Sequence, residues 1–270
     1  MLKYLWCCIL LGYLCIPCLS VSSEHHLNSS TDLELLSGST KSFIRDDSQL
    51  DDFAFAETLN ESVSCEDLEG VGSFNTTCLL SSTHYLKSDI LIYGTGNLEI
   101  LSDVSLLCPV EECMITVNVS GNFKLGQNSS IVASSVIISA ANVTMDYVSS
   151  INSSSLGGAP PSQTSGTPVD NVGAGGGHGG RGASCKTTNK TNWGGDVYAW
   201  SSLAEPWSYG SKGGGKSDEQ KYGGNGGGRI KLLVKDTIYL NGSVTAEGGD
   251  GGYDGGGGSG GSIIVHAIKL

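Results

Sequence analysis

A repeat of about twenty residues restricts the fold of this chain more than any other feature. Asn122-Phe-Lys-Leu-Gly-Gln-Asn-Ser-Ser-Ile131 aligns with Asn142-Val-Thr-Met-Asp-Tyr-Val-Ser-Ser-Ile151 at an offset of twenty. Asn97-Leu-Glu-Ile-Leu-Ser-Asp-Val-Ser-Leu106 has the same cadence one turn earlier. Ile230-Lys-Leu-Leu-Val-Lys-Asp-Thr-Ile-Tyr-Leu-Asn241 matches Ile115 to Gly126 in its apolar positions, and Ser262-Ile-Ile-Val-His-Ala267 begins the pattern again. Within the repeats, Ile90-Leu-Ile92, Leu98-Glu-Ile100, Ile115-Thr-Val-Asn-Val119 and Val136-Ile-Ile138 are short, β-branched and alternating, as strands are. No segment carries a useful 3.6-residue period. Short strands joined by Asn, Ser and Gly corners at a fixed period predict a parallel β-solenoid, or β-helix-like stack, because one turn alone cannot bury its inward face. An antiparallel sandwich is the rival, and the repeating offset favours the solenoid.

The composition is uneven along the chain. Of 270 residues 40 are Gly, and thirty-two of these fall between Gly157 and Gly261. The formal charge is −12, yet Glu24 to Gly70 alone holds twelve Asp or Glu against Lys41 and Arg45. An acidic, Ser- and Asn-rich stretch of this kind cannot bury enough apolar surface to order itself. The expected organisation is therefore a signal peptide at 1–22, an acidic disordered tether at 23–64, solenoid rungs at 65–156, a glycine-rich aromatic insertion at 157–228 and further rungs at 229–270. The last repeat stops at Leu270 without a capping segment, so the chain reads as the front part of something longer. Without a basic stripe, nucleic acid is excluded as a partner.

The compartment is written at the start. Lys3, an apolar run, and then small residues up to Ser20 and Ser22 form the tripartite pattern of a secretory signal peptide. Nine of fourteen Asn lie in Asn-x-Ser/Thr: Asn28, Asn60, Asn75, Asn118, Asn128, Asn142, Asn152, Asn189 and Asn241. Four of nine cysteines leave with the signal. Of the remaining five, the simplest pairing is Cys65–Cys78 and Cys108–Cys113, with Cys185 left over. Secretory-pathway passage and an extracellular or cell-surface location follow as expectations.

The insertion contains two decoys and one cluster of interest. Gly210-Ser-Lys-Gly-Gly-Gly-Lys-Ser217 matches the phosphate-loop pattern, but no buried strand leads in and no helix has room to follow, so no nucleotide is expected. Gly248-Gly-Asp-Gly-Gly-Tyr-Asp254 echoes calcium-binding repeats without their apolar continuation or tandem copies, and no metal or cofactor is assigned. Trp193, Tyr198, Trp200, Trp207 and Tyr209 lie close together and are suited to stacking on the apolar face of a sugar. The competing reading is a mini-core that pins the insertion to the flank of the stack. Outside the tether the acids are scattered, and His178 with Arg181 reads as loop structure, so no catalytic residue is assigned.

Several motifs in order, Cys65-Glu-Asp-Leu-Glu-Gly-Val-Gly-Ser73, Gly157-Gly-Ala-Pro-Pro-Ser-Gln-Thr-Ser-Gly166, Gly175-Gly-Gly-His-Gly-Gly-Arg-Gly182, Trp193-Gly-Gly-Asp196, Pro206-Trp-Ser-Tyr-Gly-Ser-Lys-Gly213 and Gly256-Gly-Gly-Ser-Gly-Gly-Ser262, give the chain a family character. Over residues 65–270 it resembles the N-terminal part of the large plant glycine-rich cell-surface proteins. That resemblance implies a plant source and a longer, membrane-linked parent, and it carries over no catalytic residues. The functional expectation is a non-enzymatic structural or adhesive glycoprotein segment at the plant cell surface or wall, touching polysaccharide or other extracellular proteins. The alternative is a carbohydrate-active enzyme of the pectin-lyase-like β-helix type, which needs carboxylates, or a carboxylate and a base, converging on one face.

Overall fold

The computed structural model describes residues 62–169, 172–186, 191–198, 205–215 and 222–270. The signal peptide, nearly all of the tether, Asn28, Asn60, Asn189, Trp200, Lys216 and Ser217 lie outside these residues.

The described chain is all-β, with strands that return in a fixed order. After β1 (Val71–Gly72) come β2 (Thr77–Leu80) and β3 (His84–Tyr85). Three full turns follow: β4 (Ile90–Gly94), β5 (Asn97–Ile100) and β6 (Ser105–Leu107); β7 (Met114–Val119), β8 (Asn122–Leu125) and β9 (Ser130–Val132); β10 (Ser135–Ala140), β11 (Asn142–Met145) and β12 (Ser150–Asn152). The insertion carries two small hairpins, β13 (Pro168–Val169) with β14 (Val172–Gly173), and β15 (Cys185–Lys186) with β16 (Thr191–Asn192). The turns then resume with β17 (Arg229–Val234), β18 (Ile238–Leu240), β19 (Ser243–Thr245) and β20 (Ser262–His266).

Each turn contributes one strand to each of three sheets. Sheet one is β4-β7-β10-β17-β20, sheet two is β1-β2-β5-β8-β11-β18 and sheet three is β3-β6-β9-β12-β19. Within these three sheets all pairings are parallel except β1 with β2. Three parallel sheets visited in rotation are consistent with a β-solenoid-like arrangement.

The register is the one the repeats imply. Asn122 pairs with Asn142, and Ile131 with Ile151. Ile115, Val136, Ile230 and Ile263 occupy one row of sheet one; Val117, Ile138, Leu232 and Val265 occupy another. Both rows point inward, into a continuous core in which Ile92, Leu98, Leu106, Ile115, Phe123 and Ile138 are fully buried. Period-two alternation places the same residue types inward on every turn, so each apolar side chain meets an apolar neighbour one strand away.

One boundary differs from expectation. Val63, assigned to the tether, forms a parallel bridge with Ile92, donates its N–H to the Leu91 carbonyl at 2.9 Å and packs against the core. The ordered part therefore begins at least two residues before Cys65. At this end the turn after Cys65 buries Leu68 and Phe74, and a Cys65–Cys78 disulfide ties it to β2. At the other end Ile263 and Val265, in line with buried Ile230 and Leu232, are 42% and 39% exposed.

The large length variation falls at one corner, between sheets three and one. Its five crossings are 86–89, 108–113, 133–134, 153–228 and 246–261; the other two corners never exceed four residues. The Cys108–Cys113 disulfide closes the second crossing. Both glycine-rich segments emerge at this same corner.

Candidate functional site

The two glycine-rich segments build one body by pairing backbone with backbone. Gly214 N–H donates to the Ala174 carbonyl at 2.7 Å, Gly256 N–H to Gly214 at 2.8 Å and Gly224 N–H to Gly256 at 3.0 Å. Gly213 and Gly223 extend the same network. Among described glycines only Gly72 and Gly252 have positive φ, so conformational permissiveness is not the main reason for this composition. Close approach is. A Cβ on Gly173, Gly213 or Gly256 would collide with a carbonyl of the next segment. Because the amides of Gly210, Gly213 and Gly214 already donate to protein carbonyls, the phosphate-loop lookalike has no free cradle there.

The aromatic residues divide into different roles. Tyr198 is 2% exposed and offers no face to a ligand. Its hydroxyl donates to the Tyr209 carbonyl and accepts from Ser211 Oγ at 3.2 Å, and burial raises its pKa. Trp207 and Tyr209 hold the Arg229 guanidinium between them, 4.6 and 4.3 Å from the ring centroids. Arg229 Nε also donates to Ser135 Oγ at 2.9 Å, and that oxygen lies 2.8 Å from the Tyr209 hydroxyl. Lys231 sits 5.3 Å from the Trp207 ring and 3.6 Å from Glu205. These contacts pin the insertion to the outer face of sheet one, with cation–π attraction strengthened by partial desolvation. Trp193, by contrast, is 58% exposed.

His178 and Arg181 do not form a pair of their own. His178 Nε2 lies 2.8 Å from Ser208 Oγ and its ring packs edge-on against Tyr198 at 5.0 Å, while Arg181 is bound to Asp196. Burial lowers the His178 pKa and holds the ring neutral. Elsewhere Lys124 binds Glu99 at 3.0 Å and approaches Asp146 at 3.9 Å; the Glu99 hydrogen bond is the chief reason its pKa is raised.

Of the sequons, Asn75, Asn118, Asn128 and Asn241 are exposed. Asn142 is engaged in a side-chain ladder: its Nδ2 donates to Asn122 Oδ1 at 2.9 Å and its Oδ1 accepts from Thr237 N–H at 3.1 Å. Asn152 accepts from Ser154 N–H and Thr245 Oγ1. Cys185 is a free thiol, half-buried near the Gly173 carbonyl.

A cleft of about 390 Å³ opens where the glycine body meets the Cys108–Cys113 loop. The loop supplies Glu111 and Glu112, and the start of the insertion supplies Pro160, Pro161 and Gln163. Lys212 and Tyr222 close the far side. Lys212 Nζ is 2.6 Å from Glu111 Oε1 and 5.5 Å from the Tyr222 ring centroid. Glu112 accepts the Ala159 N–H at 3.1 Å, and a bridge to Gly214 fixes the Tyr222 backbone. Sequence reasoning did not assemble this set, whose members lie more than a hundred residues apart. The available signal was positional: the disulfide loop lengthens one turn from twenty residues to twenty-five at the corner that also carries the insertion.

Comparison with family models, with curated proteins and with solved structures found no match.

Proposed function

We propose that this chain is an extracellular β-solenoid glycoprotein segment with a structural or adhesive role, and that its glycine-rich body is the part that meets polysaccharide. The observation that carries the reading is the use of the insertion. The described parts of a long insertion leave the sheets at one corner and are locked back onto them by a backbone network and the Trp207–Arg229–Tyr209 stack. Such a body is a rigid surface rich in peptide groups, with exposed aromatic rings at Trp193 and Tyr222. A polysaccharide presents repeated hydroxyls and apolar ring faces, which peptide groups and aromatic rings complement. The two disulfides suit an oxidising compartment. Carboxylates at Glu99, Glu111, Asp196 and Asp236 are paired with lysine or arginine, which favours a structural role for them over proton transfer. The resemblance to plant glycine-rich cell-surface proteins points the same way.

The test is retention of the secreted protein on immobilised xyloglucan, galactan and pectin. Retention above that of an albumin control is expected on at least one of them, and loss on all three overturns the reading. Removal of N-glycans with an endoglycosidase is expected to lower the apparent mass of the same preparation.

A further inference from the structure

We propose that the cleft between the Cys108–Cys113 loop and the glycine body is a binding site for one neutral pyranose unit of a polysaccharide. This rests on the polysaccharide reading above and adds the place and the ligand class. A volume of about 390 Å³ lies within the range of small-ligand sites, roughly 300–1,000 Å³. Its lining has the chemistry a pyranose needs. Tyr222, 49% exposed, and Pro160–Pro161 provide apolar surface for the C–H face of a sugar ring. Glu111 and Glu112 each have one carboxylate oxygen engaged, on Lys212 and on the Ala159 N–H, and the second oxygen of each is left to accept sugar hydroxyls. Gln163 adds an amide that both donates and accepts.

Charge decides between sugar classes. Among the described lining residues two carboxylates stand against one ammonium, a net negative balance, and the ammonium is already held by Glu111. A uronate would meet repulsion from both glutamates with no unpaired cation among the described lining residues, whereas a neutral hexose would meet no such repulsion. The site is also rigid. The disulfide fixes the loop that bears both glutamates, and the Gly214–Tyr222 bridge fixes the aromatic wall, so little ordering remains to oppose binding.

The experiment is titration of the whole secreted chain with xyloglucan and galactan oligosaccharides, and separately with oligogalacturonate, followed by calorimetry or by saturation-transfer NMR. Binding to a neutral oligosaccharide is expected, nearly unchanged between about 0.1 M and 1 M salt, where the Debye length falls from ~10 to ~3 Å. Tyr222→Ala is expected to weaken it by roughly tenfold, Tyr222→Phe to retain it, and Glu112→Gln to weaken it. Tyr85→Ala, on an exposed residue of β3, is the control and is expected to bind as the parent does. Thermal melting of each variant separates a lost contact from a lost fold. If Tyr222→Ala and Glu112→Gln bind like the parent while the parent is retained on polysaccharide, the cleft assignment falls and the broader reading stands. Binding of oligogalacturonate alone overturns the ligand class. Failure of the parent to bind any polysaccharide removes both.

Discussion

Val148 adopts φ 61°, a left-handed conformation that β-branched residues avoid. It sits at the corner between sheets two and three, where Asp103 (φ 62°) and Asn128 (φ 56°) hold the same conformation on the two preceding turns. Those two are residue types that tolerate it, and Asn128 Nδ2 donates to Asp103 Oδ1 at 2.7 Å. The corner geometry is thus imposed by stacking, and Val148 is the position that conforms under strain. Being 55% exposed, it gains little burial in exchange. Val148→Asp is expected to stabilise the protein by about 1 kcal/mol, read as a rise of roughly 2–4 °C in Tm; an unchanged or lower Tm would show that the corner stores no strain. His178 makes a second prediction. Burial puts its folded pKa below the ordinary 6.5, so the unfolded chain takes up the proton first as pH falls. The contribution of neutral His178 is complete above about pH 6.5 and is lost as pH drops from there through the folded value. Urea midpoints measured from about pH 8 to pH 5 should fall over that window, and His178→Gln should flatten the fall; an equal slope in the variant counts against the assignment.

At the scale of elements, what was legible in the sequence follows from what side chains record. The strands and their register could be read because inward Ile, Val, Leu and Phe recur every second residue and corner Asn, Ser and Gly recur every turn. Ile115 and Ile230, matched by pattern alone, lie in one row of sheet one although the insertion separates them. The glycine body could not be read this way. Its pairing is specified by carbonyls and amides, which every residue has, and by the absence of side chains, which leaves no pattern to align. The cleft was hidden for the same reason, since its walls meet only after that body has folded. If close approach is what the glycines provide, their replacement should have sharply different effects by position. Gly256→Ala drives a methyl into the Ala174 carbonyl and should cost ~1–3 kcal/mol or more. Gly180→Ala has no heavy atom within 4 Å of its added Cβ. It should be neutral or stabilise by about 0.4–1 kcal/mol through the unfolded chain. Equal effects at the two positions, measured by chemical denaturation, would mean that the body behaves as a flexible linker.

For the whole molecule, the corner architecture separates the part that makes the core from the part that makes the surface. The insertion leaves after Asn152 and returns at Arg229, and its two ends touch: Gly228 N–H donates to the Ser153 carbonyl at 2.6 Å and Arg229 N–H to Ser134 at 2.9 Å. On the preceding turn the same corner is made by Ala133 and Ser134 alone. The strands flanking the insertion pair with the same partners that a two-residue corner would give them. A chain in which residues 153–228 are replaced by Ala-Ser should therefore keep its three parallel sheets. Shortening the crossing from seventy-six residues to two removes about five doublings of loop length, worth roughly 3 kcal/mol of closure entropy. Against this stands the loss of the contacts that Trp207 and Tyr209 make with Arg229 and the exposure of buried Ile264 on the outer face of sheet one. The expected outcome is a β-type circular dichroism spectrum with a single cooperative melt. Oligosaccharide binding should be absent, because Lys212, Tyr222 and the proline wall leave with the insertion. A shortened chain that fails to fold would show that the glycine body is part of the core's stability. A shortened chain that folds and still binds would place the sugar on the sheets themselves.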